Sequence, residues 1–197
     1  MGTIDWNPSA CQAAGLGLKT KSCRTLRDAW LSWRGAQAIP RRSDLDPVSI
    51  RSILPMVGII DVRSRGTAMF RLAGSGLRDI FGFDPTGRNA NDLIDAQYRT
   101  RRAYRLFVPA TVPCGYLGES QFTYSTGIAD WFESVGFPLA ASEPDSRGLV
   151  VFTLESIRGN RWQKTEGSAI DNPQNLFQFV DIGTGTPPSI DPPPDFL

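Results

Sequence analysis

The residues that do most of the chemistry in enzymes are scarce in this chain. It holds no histidine and three cysteines in 197 residues. Without histidine it cannot supply a Ser-His-Asp or Cys-His nucleophile, an HExxH zinc site, a histidine haem ligand or a phosphorelay histidine. Cys11, Cys23 and Cys114 stand far apart with no CxxC pair. Neither a metal site nor a disulfide framework is expected from them, and a reducing compartment suits them better. Cys114, in Pro113-Cys114-Gly115, has nothing beside it in sequence that would stabilise a thiolate.

Three other groups invite a chemical reading. Gly74-Ser75-Gly76 begins like a dinucleotide loop, but the third glycine would fall at Asp79 and no βαβ unit surrounds it. The glycines read instead as a tight passage from strand into helix. Asp44, Asp46 and Asp61 could be offered as paired acids. Asp46 before Pro47 reads as a helix cap, and Asp61 at a strand end has Arg71 as a partner, so no catalytic residue is assigned and no enzyme is expected. Arg99, Arg101, Arg102 and Arg105 crowd one helix, and Arg41-Arg42 makes a second group. Guanidinium forks suit phosphates, which admits a nucleotide second messenger or an acidic partner, against the plainer reading of a solvated helix face. A formal net charge of +1 and the lack of a basic stripe argue against nucleic acid.

The elements that would position these groups follow from periodicity. With 41% hydrophobic and 21% charged residues the chain has a globular profile, and its length suits one domain with tails. No signal peptide or run of about 18 apolar residues is present, so no membrane insertion and a cytoplasmic location are expected. Residues 1–24 read as a flexible arm. Leu26, Trp30 and Trp33 then fall on one helical face, with Thr25 as cap and Gly35 as stop. A short helix is predicted from Asp46-Pro47 to about Leu54. Val57–Val62 and Ala68–Leu72 predict a hairpin, Leu77 to Phe81 a short helix, and 91–108 the longest helix. Three strands follow at 116–125, 131–140 and 149–157. Residues 159–197, with Pro187, Pro188 and Pro192 to Pro194, read as a proline-rich, partly disordered tail.

This order of elements is similar to that of a PAS domain, and the residues carry the likeness further. Trp30-Leu31-Ser32-Trp33-Arg34-Gly35, Pro40-Arg41, Asp44-Leu45-Asp46-Pro47 and Leu54-Pro55 resemble the opening of the bacterial PAS_5 family. So do Asp61-Val62, Phe70-Arg71-Leu72-Ala73-Gly74, Phe81-Gly82, Thr86-Gly87-Arg88 and, near the end, Phe137-Pro138-Leu139. The resemblance covers about residues 26–157. It implies an α+β fold: a five-stranded antiparallel sheet with helices on one face, preceded by N-terminal helices, within a domain at 25–158. It also implies a non-enzymatic sensory or regulatory domain in bacterial signalling.

Such domains hold a small molecule between sheet and long helix. The residues expected there are Phe70, Leu72, Leu77, Phe81, Phe122, Tyr124, Phe137 and Phe152, with Val135 and Val150 beside them. The same residues would equally make a filled core, in which case the chain is a constitutive interaction adaptor without a ligand. The cofactor is unknown: histidine-ligated haem is impossible, and no cysteine sits in the Asn-Cys-Arg-Phe motif that flavin photochemistry of the LOV type resembles. Leu26, Trp30 and Trp33 are the candidate interface of a homodimer or with a signalling protein, unless their helix covers its own sheet.

Overall fold

A computed structural model describes residues 7, 9, 11–124, 127, 129–141, 143–158, 170–171 and 176–197. A seven-stranded antiparallel sheet is its centre. Strands β1 (Val57–Ser64) and β2 (Thr67–Ala73) form the expected hairpin. Strands β3 (Gly115–Thr123), β4 (Ala129–Leu139) and β5 (Gly148–Ser156) form a meander, and β5 pairs with β1. The short β6 (Ile170–Asp171) and β7 (Leu176–Val180) both pair with β3, giving the order β2-β1-β5-β4-β3 and then β6 and β7.

Helices cover both faces rather than one. On the inner face, α2 (Ser75–Phe81) and α3 (Arg99–Thr111) close over Ile60, Phe70, Phe132, Val150 and Phe152. On the outer face, α1 (Lys21–Arg34) closes over Ile59, Val135, Phe137, Leu139 and Val151. Burial on both sides explains why Leu149 to Phe152 are continuously apolar instead of alternating with polar residues.

The helix α1 starts earlier than expected because the sheet caps it. Glu119, Glu133 and Glu155 lie side by side across β3, β4 and β5. Glu133 Oε1 accepts the Lys19 N–H at 2.8 Å, and its Oε2 accepts the Thr20 N–H and hydroxyl, each at 2.7 Å. Glu155 accepts the Ser22 N–H at 2.7 Å, and the Lys19 ammonium pairs with Glu119. Three carboxylates in a row would repel one another. The positive end of a helix, its unpaired N–H groups and one ammonium offset that repulsion.

Three further expectations are corrected. From Asp46 to Ile53 the chain makes successive four-residue hydrogen-bonded turns, such as Ser49 N–H to Asp46 O, instead of a helix. The expected helix over 91–108 begins as two short 3-10 turns and becomes α3 only at Arg99, then runs through Pro109 to Thr111. Pro109 is tolerated because it forfeits one hydrogen bond only two residues from the helix end. Within the segment expected to be a tail, β7 extends the sheet, and Phe196 lies buried edge-on to Tyr104 and Phe107. Proline richness removes donors from such a segment but does not prevent aromatic anchors from docking it. Residues 159–169 and 172–175 lie outside the described residues.

Candidate functional site

The inner face of the sheet is not filled completely. Between it and α3 lies a cavity of about 80 Å³, lined on the sheet side by Ile60, Tyr116, Ser120, Phe122, Phe132, Ser134, Phe152 and Leu154. Phe81 closes the α2 side. The roof is a stripe at helical spacing, Tyr98, Arg101, Arg102 and Arg105, with Ile94 before it and Leu106 beyond.

The structure distributes the expected ligand residues over three places. Phe81, Phe122 and Phe152 line the cavity. Phe70, Leu77, Tyr124 and Val150 are buried in the same core without lining it, Phe70 meeting Phe81 and Phe152 edge-on at 5.9 and 6.1 Å. Leu72, Phe137 and Val135 lie elsewhere. The ladder pairs Ile60 with Phe70 but Ile59 with Leu72, so Arg71 is the extra residue of a bulge. The bulge turns Leu72 to the outer face, where it is 42% exposed. Phe137 stacks on Trp30 at 4.8 Å on that outer face, because Phe132 and Ser134 give β4 the opposite parity toward the cavity.

The candidate interface is likewise corrected. Leu26 and Trp30 are fully buried and Trp33 nearly so within this single chain. The Trp30 indole N–H donates to the Pro138 carbonyl at 2.9 Å, and that of Trp33 to the Ser49 hydroxyl at 3.1 Å. Their helix therefore covers its own sheet.

Charge is concentrated at the cavity roof. Arg105, 9% exposed, lies over the Phe177 ring at 4.2 Å, and its Nε donates to the Ile190 carbonyl at 3.4 Å. Burial and the charge of Arg101 pull its basicity down to about 10, against the opposing pull of Asp191, so it stays charged at neutral pH. Asp191 meets Arg101 Nε at 3.0 Å and Arg105 Nη2 at 4.0 Å. The C-terminal segment is thereby strapped across α3, with the Tyr104 hydroxyl donating to Ser189 O at 3.2 Å. These arginines were recognised in sequence, but as a helix face separate from the ligand residues. The spacing of Tyr98, Arg101, Arg102 and Arg105 was the signal that they share one stripe.

The other groups singled out in sequence have structural partners. Asp44 accepts the Arg41 N–H at 2.8 Å and Asp46 accepts the Val48 N–H at 2.9 Å, both local turn bonds. Asp61, wholly buried, meets Arg71 at 3.0 Å and Arg63 at 3.2 Å. Burial opposes its charge, but the Ser146 hydroxyl and the two guanidiniums outweigh that and hold its carboxyl below the usual carboxylate range. Arg41 and Arg42 border a separate open depression with Ser43, Ala140 and Ala141. Burial pushes the thiols of Cys23 and Cys114 up, which leaves them poor nucleophiles. Among the described residues, no three His, Cys, Asp or Glu side chains group as a metal site, and no helix is long and apolar enough to cross a membrane.

Comparison with known proteins gives the family. A family model described as a PAS domain, PAS_5, matches residues 18–123, just over half of the chain. The match ends with β3, so the Phe137-Pro138-Leu139 likeness lies beyond it. No curated protein matches the chain. The crystal structure of the PAS domain of a protein from Colwellia psychrerythraea is similar at a TM-score of 0.38 and 14% identity, over 56% of this chain and 97% of that one. With its antiparallel sheet, its helices over the inner face and its matched residues, the chain belongs to the PAS_5 family of PAS domains, a group of sensory and signalling domains in general.

Proposed function

We propose that this chain is a non-enzymatic sensor that takes a small molecule into the cavity beneath α3 and passes its occupancy to a protein partner. The observation that carries this reading is the cavity itself. Close-packed interiors leave few voids larger than a water molecule, and voids without a role are usually apolar. This one combines aromatic walls with two serines and three arginines, the mixture of apolar area and few directed polar groups that small-molecule sites use. A ligand there touches α3 directly and the C-terminal strap through Arg101 and Arg105, so its binding energy can bias how the strap sits. The strap replaces α1 as the route by which a signal leaves, because α1 lies across the sheet from the cavity.

The competing reading, an adaptor with a filled core, draws support from the aromatic contacts that pack the rest of the inner face, Phe122 on Phe132 at 5.1 Å among them. Both readings place the chain in a bacterial cytoplasm, where its three free cysteines suit a reducing medium. Both also have it act with a second copy or another signalling protein through a surface other than α1.

Mass measurement of protein purified from its own host, first native and then denatured, separates them. A small mass present only in the native spectrum is expected, and it should vanish in a Ser134→Leu variant whose side chain fills the cavity. A native mass equal to that of the bare chain, together with lower stability in Ser134→Leu because a filled core has no room for the larger side chain, would favour the adaptor. The same spectrum reads the oligomeric state.

A further inference from the structure

We infer that the outer edge of β7 is an interface, where the same strand of a second copy adds to the sheet in antiparallel register. The inference rests on the reading that the chain acts with a second copy, and it names the surface. The two edges of the sheet are finished differently. Beside β2 the chain folds back on itself. Phe70 N–H donates to Arg88 O at 2.9 Å, Gly87 N–H to Phe70 O at 2.8 Å, and Ala68 N–H to the Asn89 side chain at 3.0 Å. At the opposite edge β7 pairs with β3 on one side. Among the described residues, no hydrogen bond reaches its other side. The N-terminal arm meets the edge just past the strand, where Gln12 N–H donates to Asp181 O at 2.7 Å.

An edge strand presents a row of N–H and C=O groups outward, and folded proteins blunt it with charge, proline, a bulge or a covering segment. Leu176-Phe177-Gln178-Phe179-Val180 holds no charged residue, no proline and no glycine. Leu176 is 44% exposed, and Gln178 is exposed as well. Extended backbone with open edge groups is what strand addition uses.

The strand's own residues choose the occupant. A copy related by a two-fold axis at Gln178 sets Gln178 against Gln178, Phe177 against Phe179 and Leu176 against Val180. With the axis perpendicular to the sheet, the inner face of one copy continues into that of the other. On that face Phe177 stacks on Tyr116 at 5.7 Å and Phe179 meets Tyr104 edge-on at 6.1 Å. The added strand supplies each ring with a cross-strand aromatic partner. Within these five residues no charge faces a charge, and two copies with a formal charge of +1 each repel only weakly.

Sedimentation of the full chain over a range of concentrations tests the edge, using the parent, Gln178→Lys, Gln178→Glu and an equal mixture of the two variants. Gln178 is exposed, so both variants should unfold in urea as the parent does. The parent is expected to dimerise. Like charges across the axis should weaken each variant's dimer on the order of tenfold or more, and mixing the variants should restore it. Independently of any variant, β7 amides pointing away from β3 should exchange more slowly as the parent's concentration rises. Exchange that ignores concentration would overturn the inference. A dimer unchanged in both variants would overturn the edge assignment and leave a second copy bound elsewhere. A mixture that stays monomeric would overturn the two-fold register. A parent that is monomeric throughout would overturn the inference outright, while the ligand reading still stands or falls on the native mass.

Discussion

The row of glutamates under the start of α1 makes a sharp prediction about Glu133. Its side chain is 1% exposed and accepts three hydrogen bonds at 2.7–2.8 Å, two of them from backbone N–H groups at the start of a helix. Hydrogen bonds to a charged group contribute about 1.5–3 kcal/mol each, and a carboxylate at a helix N-terminus adds about 0.3–1 kcal/mol. In Glu133→Gln one oxygen becomes an amide donor. The remaining oxygen can keep Thr20, but the Lys19 N–H then faces a donor. One bond and the charge are lost, and relief from the flanking Glu119 and Glu155 returns part of that. The expected loss is about 2–3 kcal/mol. Glu133→Ala leaves the buried Thr20 N–H and the part-buried Lys19 N–H without acceptors and should lose about 3–4 kcal/mol. Urea unfolding followed by tryptophan fluorescence measures the global effect, and amide exchange at Lys19 and Thr20 shows whether α1 frays first. If both variants unfold within about 0.5 kcal/mol of the parent, the carboxylate row does not hold α1 and the argument fails.

The other predictions follow from the same contacts. Trp30→Ala should lower stability by about 3–5 kcal/mol, while Trp30→Phe, which keeps the stacking on Phe137, should lose far less. A parent-like unfolding midpoint in Trp30→Ala, with a changed mass in solution, would return that residue to an interface. Asp61 is held below the usual carboxylate range in the fold, so its stabilising contribution is present above about pH 3.9 and is lost as pH falls through its folded value. The stability gap between the parent and Asp61→Asn, measured by urea unfolding from pH 7 to pH 2, should therefore close on the acid side; a gap independent of pH would contradict this. A Cβ at Gly74 would lie 2.3 Å from the carbonyl oxygens of Leu54 and Pro55, which are backbone and cannot rotate away. Gly74→Ala should accordingly lower the stability measured by urea unfolding by about 1–3 kcal/mol or more, whereas Gly17→Ala, with open space around it, should not.

What the sequence determined by itself was local and periodic. Val57–Val62, Ala68–Leu72 and the three later strands were legible because β-branched and aromatic residues stop at glycines and prolines. The absence of histidine excluded whole reaction classes at once. Parity along β4 put Val135, Phe137 and Leu139 on one face, but parity cannot say which face looks at which helix. Only the docking of α1 decided that those residues meet Trp30 while Phe132 and Ser134 meet the cavity. One clue went unused: the apolar runs Val57–Ile60 of β1 and Leu149–Phe152 of β5, with no alternation, signal a sheet covered on both sides. The bulge at Arg71 shifts register by one residue, which no alternation pattern foretells, and it moved Leu72 out of the candidate site. The arginines of α3 were visible in sequence as charge, yet their role depended on partners more than eighty residues away, Ile190 and Asp191 of the strap. Spacing along the chain fixes which residues share an element's face. Which faces then meet is decided by long-range packing, where the burial of aromatic area outweighs local preference.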